Sequence, residues 1–126
     1  MSSRNVTLPF TATTAIKGRR ILKHGAADDA AVQATAATED FLGVSDSMGA
    51  GAGAVCDVHV TGPVDVEYGG PVTRGARLTS DAEGRAVAAA PAAGQTVEII
   101  GRAMVSGVLG DFGKANLSRS TYTRPA

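Results

Sequence analysis

The sequence predicts an all-β fold, a compact sandwich or barrel of short strands. Three observations carry that prediction. Candidate strands recur roughly every 8–12 residues between Gly-rich turns. Residues 55–68 alternate apolar and polar side chains, the period of a strand with one dry face. The Ala-rich stretches 30–37 and 86–93 favour helix by propensity alone, but neither carries an i, i+3, i+4 stripe of larger apolar residues. At most a helical turn is expected there.

Residues 1–16 are rich in Ser and Thr, and Pro9 bars a helix across them, so they read as an extended N-terminal arm. Val6, Leu8 and Phe10 alternate, which suits an arm that becomes a strand on meeting a partner. The β domain spans residues 17–110. Its first strand is Arg20–His24, closed by Gly25; Ala31–Thr35 alternates weakly, and Phe41–Val44 is a short apolar run. A flexible Gly/Ala loop occupies 49–53. In Val55–Val60 and again in Val64–Tyr68, apolar side chains alternate with Asp57, His59, Asp65 and Glu67. Gly62-Pro63 between them predicts a hairpin-like pair. Leu78-Thr79 enters the turn Ser80–Gly84, Arg85–Ala89 returns, and Val97–Val105 forms a last strand region broken at Gly101. The polar residues 111–126 read as an irregular C-terminal tail.

Composition narrows the function classes. Of the 44% hydrophobic residues, 23 are Ala and 13 are Val, so the core is thin for a single domain of 126 residues. Aromatic residues are 4% and Trp is absent, which leaves little to stack on bases or sugars. No run of 18 apolar residues exists, so no membrane-spanning helix and no membrane partner are expected. Twelve basic and twelve acidic groups cancel, which argues against a general nucleic-acid binder. Their distribution is uneven: residues 1–27 carry five basic groups and no acid, whereas 28–73 carry eight acids and no Lys or Arg. On folding these blocks either interleave or give opposite faces of opposite sign that steer assembly. The cluster Arg19, Arg20 and Lys23 reads as a solvated strand edge or an electrostatic interface with an acidic partner.

Catalytic and cofactor chemistry is not expected. Gly49-x-Gly51-x-Gly53 lacks a P-loop Lys-Ser/Thr and a following helix. Cys56 and His59 have ligand-like spacing, yet strand alternation sends them to opposite faces. Cys56, the single cysteine, reads as a small core hydrophobe and cannot form an intrachain disulfide. His24 or His59 with Asp57 would be needed for an enzyme, and no nucleophile elbow accompanies them. MSSRNVTLPF lacks the apolar centre of a secretory signal, so cytoplasmic synthesis is expected.

The order of segments carries a resemblance. Gly18-Arg19-Arg20-Ile21 and Gly25-Ala26 are followed by Leu42-Gly43-Val44-Ser45-Asp46. Then come Leu78-Thr79-Ser80-Asp81, Gly84-Arg85-Ala86-Val87 and Val97–Ala103. Across residues 18–103 this succession resembles the small tailed-phage capsid cement, or head decoration, proteins. The resemblance implies a β-barrel or β-tulip subunit, without catalytic residues or cofactors. It implies binding as a dimer or trimer, trimer preferred, to the outer surface of an icosahedral shell. There such a subunit clamps neighbouring major-capsid proteins in the virion after synthesis in the host bacterial cytoplasm. The polar arm and the tail after Gly107 depart from the pattern. With the arm taken as the capsid contact, Val6, Leu8, Pro9 and Phe10 are its candidate residues. The alternative is a small β-module for a ligand or a host-surface glycan, which the scarcity of aromatic rings disfavours.

Overall fold

The computed structural model describes residues 6–125; residues 1–5 of the predicted arm and Ala126 lie outside the described residues. Nine strands run along the chain, with no helix among the described residues: β1 (Val6–Ala12), β2 (Ile21–His24), β3 (Ala30–Gln33), β4 (Phe41–Ser45), β5 (Val55–Glu67), β6 (Arg77–Ser80), β7 (Ala86–Ala88), β8 (Thr96–Ala103) and β9 (Phe112–Thr123). The all-β prediction holds. Strands β1-β3-β2-β4-β5 form one run, and antiparallel pairing of β1 with β5 closes them into a barrel. Strand β5 continues out of the barrel and opens a second sheet in the order β5-β9-β8-β6-β7.

The predicted hairpin at Gly62-Pro63 is instead one continuous 13-residue strand. Its two halves do not pair with each other. Val55–Thr61 pairs with β1, whereas Gly62–Glu67 pairs with β9. Gly62 takes φ of 89°, a conformation glycine adopts without steric cost, and so hands the strand from barrel to sheet. Alternation survives the handover: Cys56, Val58 and Val60 point into the barrel, and Val64, Val66 and Tyr68 point between the layers.

Strands β2 and β4 form the shared wall. Leu22 and Leu42 fill the barrel while Ile21, Phe41 and Val44 pack against the second sheet. A register shift between Leu22 and Lys23 leaves Leu42 as the extra residue of a bulge, which lets short β4 serve both cores. All five β4 residues are therefore buried, the pattern of a strand covered on both faces.

Two chain ends differ from expectation. The tail read as irregular is mostly β9, a 12-residue strand between β5 and β8. Its inward residues are Gly113, Ala115 and Leu117, small enough to mask the apolar period. Gly113 is required: a Cβ there would overlap the ring of Tyr68. The arm is β1, and its partners are the chain's own β5 and, at Thr11 and Ala12, β3.

Candidate functional site

The structure disperses the residues singled out as contacts. Phe10 and Ala12 turn into the barrel beside Cys56, and Leu8 lies opposite Val58 on the same inward face. Toward the barrel mouth that face opens, so Leu8 is 44% and Val6 50% exposed. Thr7 faces outward, its hydroxyl 2.8 Å from His59 Nδ1. The amide of Thr11 points to β3 and that of Ala12 to Ala54 beside β5. Strand alternation then aims the nitrogen of Pro9 past the end of β3, where its missing N–H breaks no ladder. A proline on that open edge also makes it a poor template for another strand. The arm's edge is thus largely engaged within its own chain.

The basic cluster divides in the same way. Arg20 is buried: Nη2 lies 3.2 Å from Glu67 Oε1 and Nη1 donates to the Glu83 carbonyl at 2.8 Å. It ties the barrel to the β6–β7 turn, which corrects its reading as an interface residue. A guanidinium taken from water needs such partners, and both terminal nitrogens find them inside the fold, while the buried Nε has none among the described residues. Lys23 is paired with Glu39, whose carboxylate also accepts from the Thr35 and Ala36 amides at 2.6 and 2.9 Å. Only Arg19 faces out. Its backbone adopts φ of 57°, unfavourable for a side-chain-bearing residue. The strain lets its carbonyl accept from Glu67 N at 3.0 Å while the guanidinium sits 4.6 Å from the centre of the Phe112 ring.

Phe112 belongs to a feature that residue patterning did not single out. Nine large apolar side chains are exposed among the described residues, and five of them cluster in sequence: Met104, Val105, Val108 and Leu109 on the β8–β9 connection and Phe112 at the start of β9. Scattered exposed apolar residues are ordinary, but a concentration marks a contact surface. The connection is also held firmly. Val72 and Gly107 exchange backbone hydrogen bonds at 2.9 and 3.0 Å. Gly110 donates to the Tyr68 carbonyl and Tyr68 N to the Asp111 carbonyl. The fully buried Tyr68 donates its hydroxyl to the Val105 carbonyl at 2.7 Å, its ring filling the space that side chains at Gly107 and Gly113 would need. Asp111 caps the tip by accepting from Val108 N at 3.0 Å. An apolar crest is therefore displayed on a rigid base. The run Met104-Val105 and Val108-Leu109 was its signal, hidden because an apolar pair in a strand region reads as core.

Two clefts open on the described surface, neither lined by crest residues. One, about 360 Å³, is lined by Arg19, Asp46, His59, Asp65 and Lys114, with Ser45 behind them. Its charges neutralise one another, and Lys114 lies 3.8 Å from Asp65. The Ser45 hydroxyl donates to the Lys17 carbonyl at 2.7 Å and accepts from Arg20 N at 3.0 Å, so it is occupied as a structural clasp. Cys56 faces the barrel interior, and burial, followed by the charges of Asp46 and Asp57, pushes its thiol up to about 11. Cys56 and His59 do lie on opposite faces of β5. The second cleft, about 250 Å³, opens on the outer face of the second sheet between Arg77 and Arg102.

A family model described as phage cement protein matches residues 1–109. The chain belongs to the phage cement proteins. The match takes in the whole barrel and the apolar crest up to Leu109, and membership makes the cement protein a capsid-associated structural protein. No curated protein sequence matches it. Among solved structures it is similar to the N-terminal base of the head fibre protein gp8.5 of bacteriophage phi29. Identity is 20% and the TM-score 0.67, over 91% of this chain and 95% of that one. At that identity the likeness shows the fold, and it extends over most of a chain whose last strand, β9, lies outside the family match.

Proposed function

We propose that this cement protein binds the outer surface of an icosahedral phage capsid and stabilises contacts between neighbouring major-capsid subunits. The observation that carries this reading is the apolar crest. Val105, Val108, Leu109 and Phe112 are 43–61% exposed, yet the backbone around them is tied down by hydrogen bonds at Met104, Val105, Gly107, Val108, Gly110 and Asp111. A rigid apolar surface loses little conformational freedom when covered, so its burial is converted efficiently into binding. Val6 and Leu8 at the barrel mouth supply a smaller second contact. Repetition over the shell gives avidity from individually weak contacts. The role is structural rather than catalytic. Self-association as a trimer would present three crests to one symmetry axis.

The test is co-sedimentation with heads of its own phage that lack the protein. The wild type is expected to bind saturably. A Val108→Asp/Leu109→Asp variant, altered only at exposed side chains, is expected to bind at least tenfold more weakly with unchanged circular dichroism. Equal binding by the two proteins would sink the crest as the capsid contact.

A further inference from the structure

The cleft between Arg77 and Arg102 has no role in the fold that accounts for its charge. The two arginines are direct cross-strand neighbours on β6 and β8. The next pair along the two strands, Leu78 and Gly101, is buried while both arginines are exposed, so both guanidiniums face out on the same side. Like charges directly opposite on adjacent strands are destabilising. Neither guanidinium pairs with a carboxylate among the described residues. Both are nevertheless held in place. The Arg77 guanidinium lies 4.2 Å from the centre of the Tyr122 ring, and Arg102 Nη1 donates to the Gly75 carbonyl at 3.1 Å. Each therefore keeps several N–H donors free in a fixed orientation.

The third wall comes from β9, whose Asn116, Ser118 and Ser120 line the same cleft and add neutral donors. At about 250 Å³ the space is below the usual size of a small-molecule site and suits one short side chain with a few waters. A planar anion seated there would relieve the repulsion between the arginines and accept charge-assisted, paired hydrogen bonds.

We propose that this cleft is a carboxylate-binding site that takes an aspartate or glutamate side chain presented by the capsid surface. The capsid as its source rests on the reading given above; the carboxylate chemistry does not. The first test is a titration of isotope-labelled wild-type protein with N-acetyl-glutamate N-methylamide, followed by NMR. Shifts are expected at Gly101, Arg102, Asn116, Ser118 and Ser120, with at least tenfold weaker binding of the glutamine analogue. Equal response to the glutamine analogue overturns the proposal, and so does inorganic phosphate binding tenfold more tightly than the carboxylate. The second test is head binding by the Arg77→Gln/Arg102→Gln variant. Affinity at low salt is expected to fall at least tenfold and its salt dependence to flatten. Thermal stability should hold or rise, because the like-charge pair is gone. If the wild type binds heads and the variant binds them equally, the cleft assignment fails while the capsid reading stands. If the wild type does not bind heads at all, the capsid reading and the capsid source fail together, and the titration alone decides the carboxylate chemistry.

Discussion

The barrel and the layer beside it share strand β5, yet their interiors are filled differently. The barrel holds Ala12, Ile16, Leu22, Ala31, Leu42, Cys56, Val58 and Val60, without a fully buried aromatic ring. The layer between barrel and second sheet holds fourteen buried residues, among them Phe41, Ile100 and the fully buried Tyr68. Apolar burial scales with area, so the second core carries more of the stability. It also carries the surface of interest, since the apolar crest is anchored on Tyr68. The barrel is a frame that β1 closes against β5. The largest test of this contrast pairs one substitution from each core. Tyr68→Ala should cost about 3–5 kcal/mol, the range for removing a buried ring. Val58→Ala should cost about 2 kcal/mol. Urea unfolding measures both, and the reverse order would break the comparison.

The polar clasps differ in a way that pH can read. On the barrel side, burial alone would raise the Glu39 carboxyl. Hydrogen bonds from Lys23, from the Thr35 amide and hydroxyl, and from the Ala36 amide outweigh that and hold it below its ordinary 4.5. A carboxyl depressed in the folded state stabilises the fold above its unfolded value and loses that contribution as pH falls through the folded one. Wild type should therefore be more stable than Glu39→Gln above about pH 5, and that advantage should shrink as pH falls below 4.5 through the carboxyl's lowered range. The difference between their urea midpoints from pH 3 to 6 measures it. A difference that stays flat with pH would remove Glu39 as a fastener of the β3–β4 turn.

The same contrast explains what could be read in advance. Strand existence was legible wherever β-branched residues alternate, as in β5, or where an acidic turn and glycine mark a reversal. At Ser80–Arg85, Asp81 accepts from the Glu83 and Arg85 amides at 2.8 and 2.9 Å. Strand partners were not legible. The alternation of Val6, Leu8 and Phe10 predicts an apolar face but not that β5 of the same chain covers it. The unbroken parity of residues 56 to 68 already argued against a hairpin, and Gly62-Pro63 outweighed it as a local signal. Strand β9 was hidden because its inward positions are small, and only Tyr68, 45 positions earlier than Gly113, explains why they must be. For the site, an arginine's charge was legible but its destination was not. Arg20 went inside because Glu67 and Glu83 meet it there, a contact fixed by topology.

Cys56 offers the smallest effect and the sharpest probe of whether the two cores are separate. Its side chain faces the barrel, and the residue is 1% exposed. Raised from 9.0 to about 11, the thiol gives about 100-fold less thiolate at pH 8 than an ordinary one, each pH unit being tenfold. Alkylation therefore has to wait for the barrel to open. Phe10, half-buried against the barrel core, is the natural latch of β1. If β1 opens alone, Phe10→Ala should speed Cys56 alkylation at least tenfold. The rate should also respond weakly to low urea, as local openings expose little surface. Tyr68→Ala should then speed alkylation less than its global destabilisation predicts. If instead the alkylation rate follows urea with the full unfolding slope, β5 couples the cores too tightly for β1 to open alone. The barrel and the crest-bearing layer would then be a single cooperative unit.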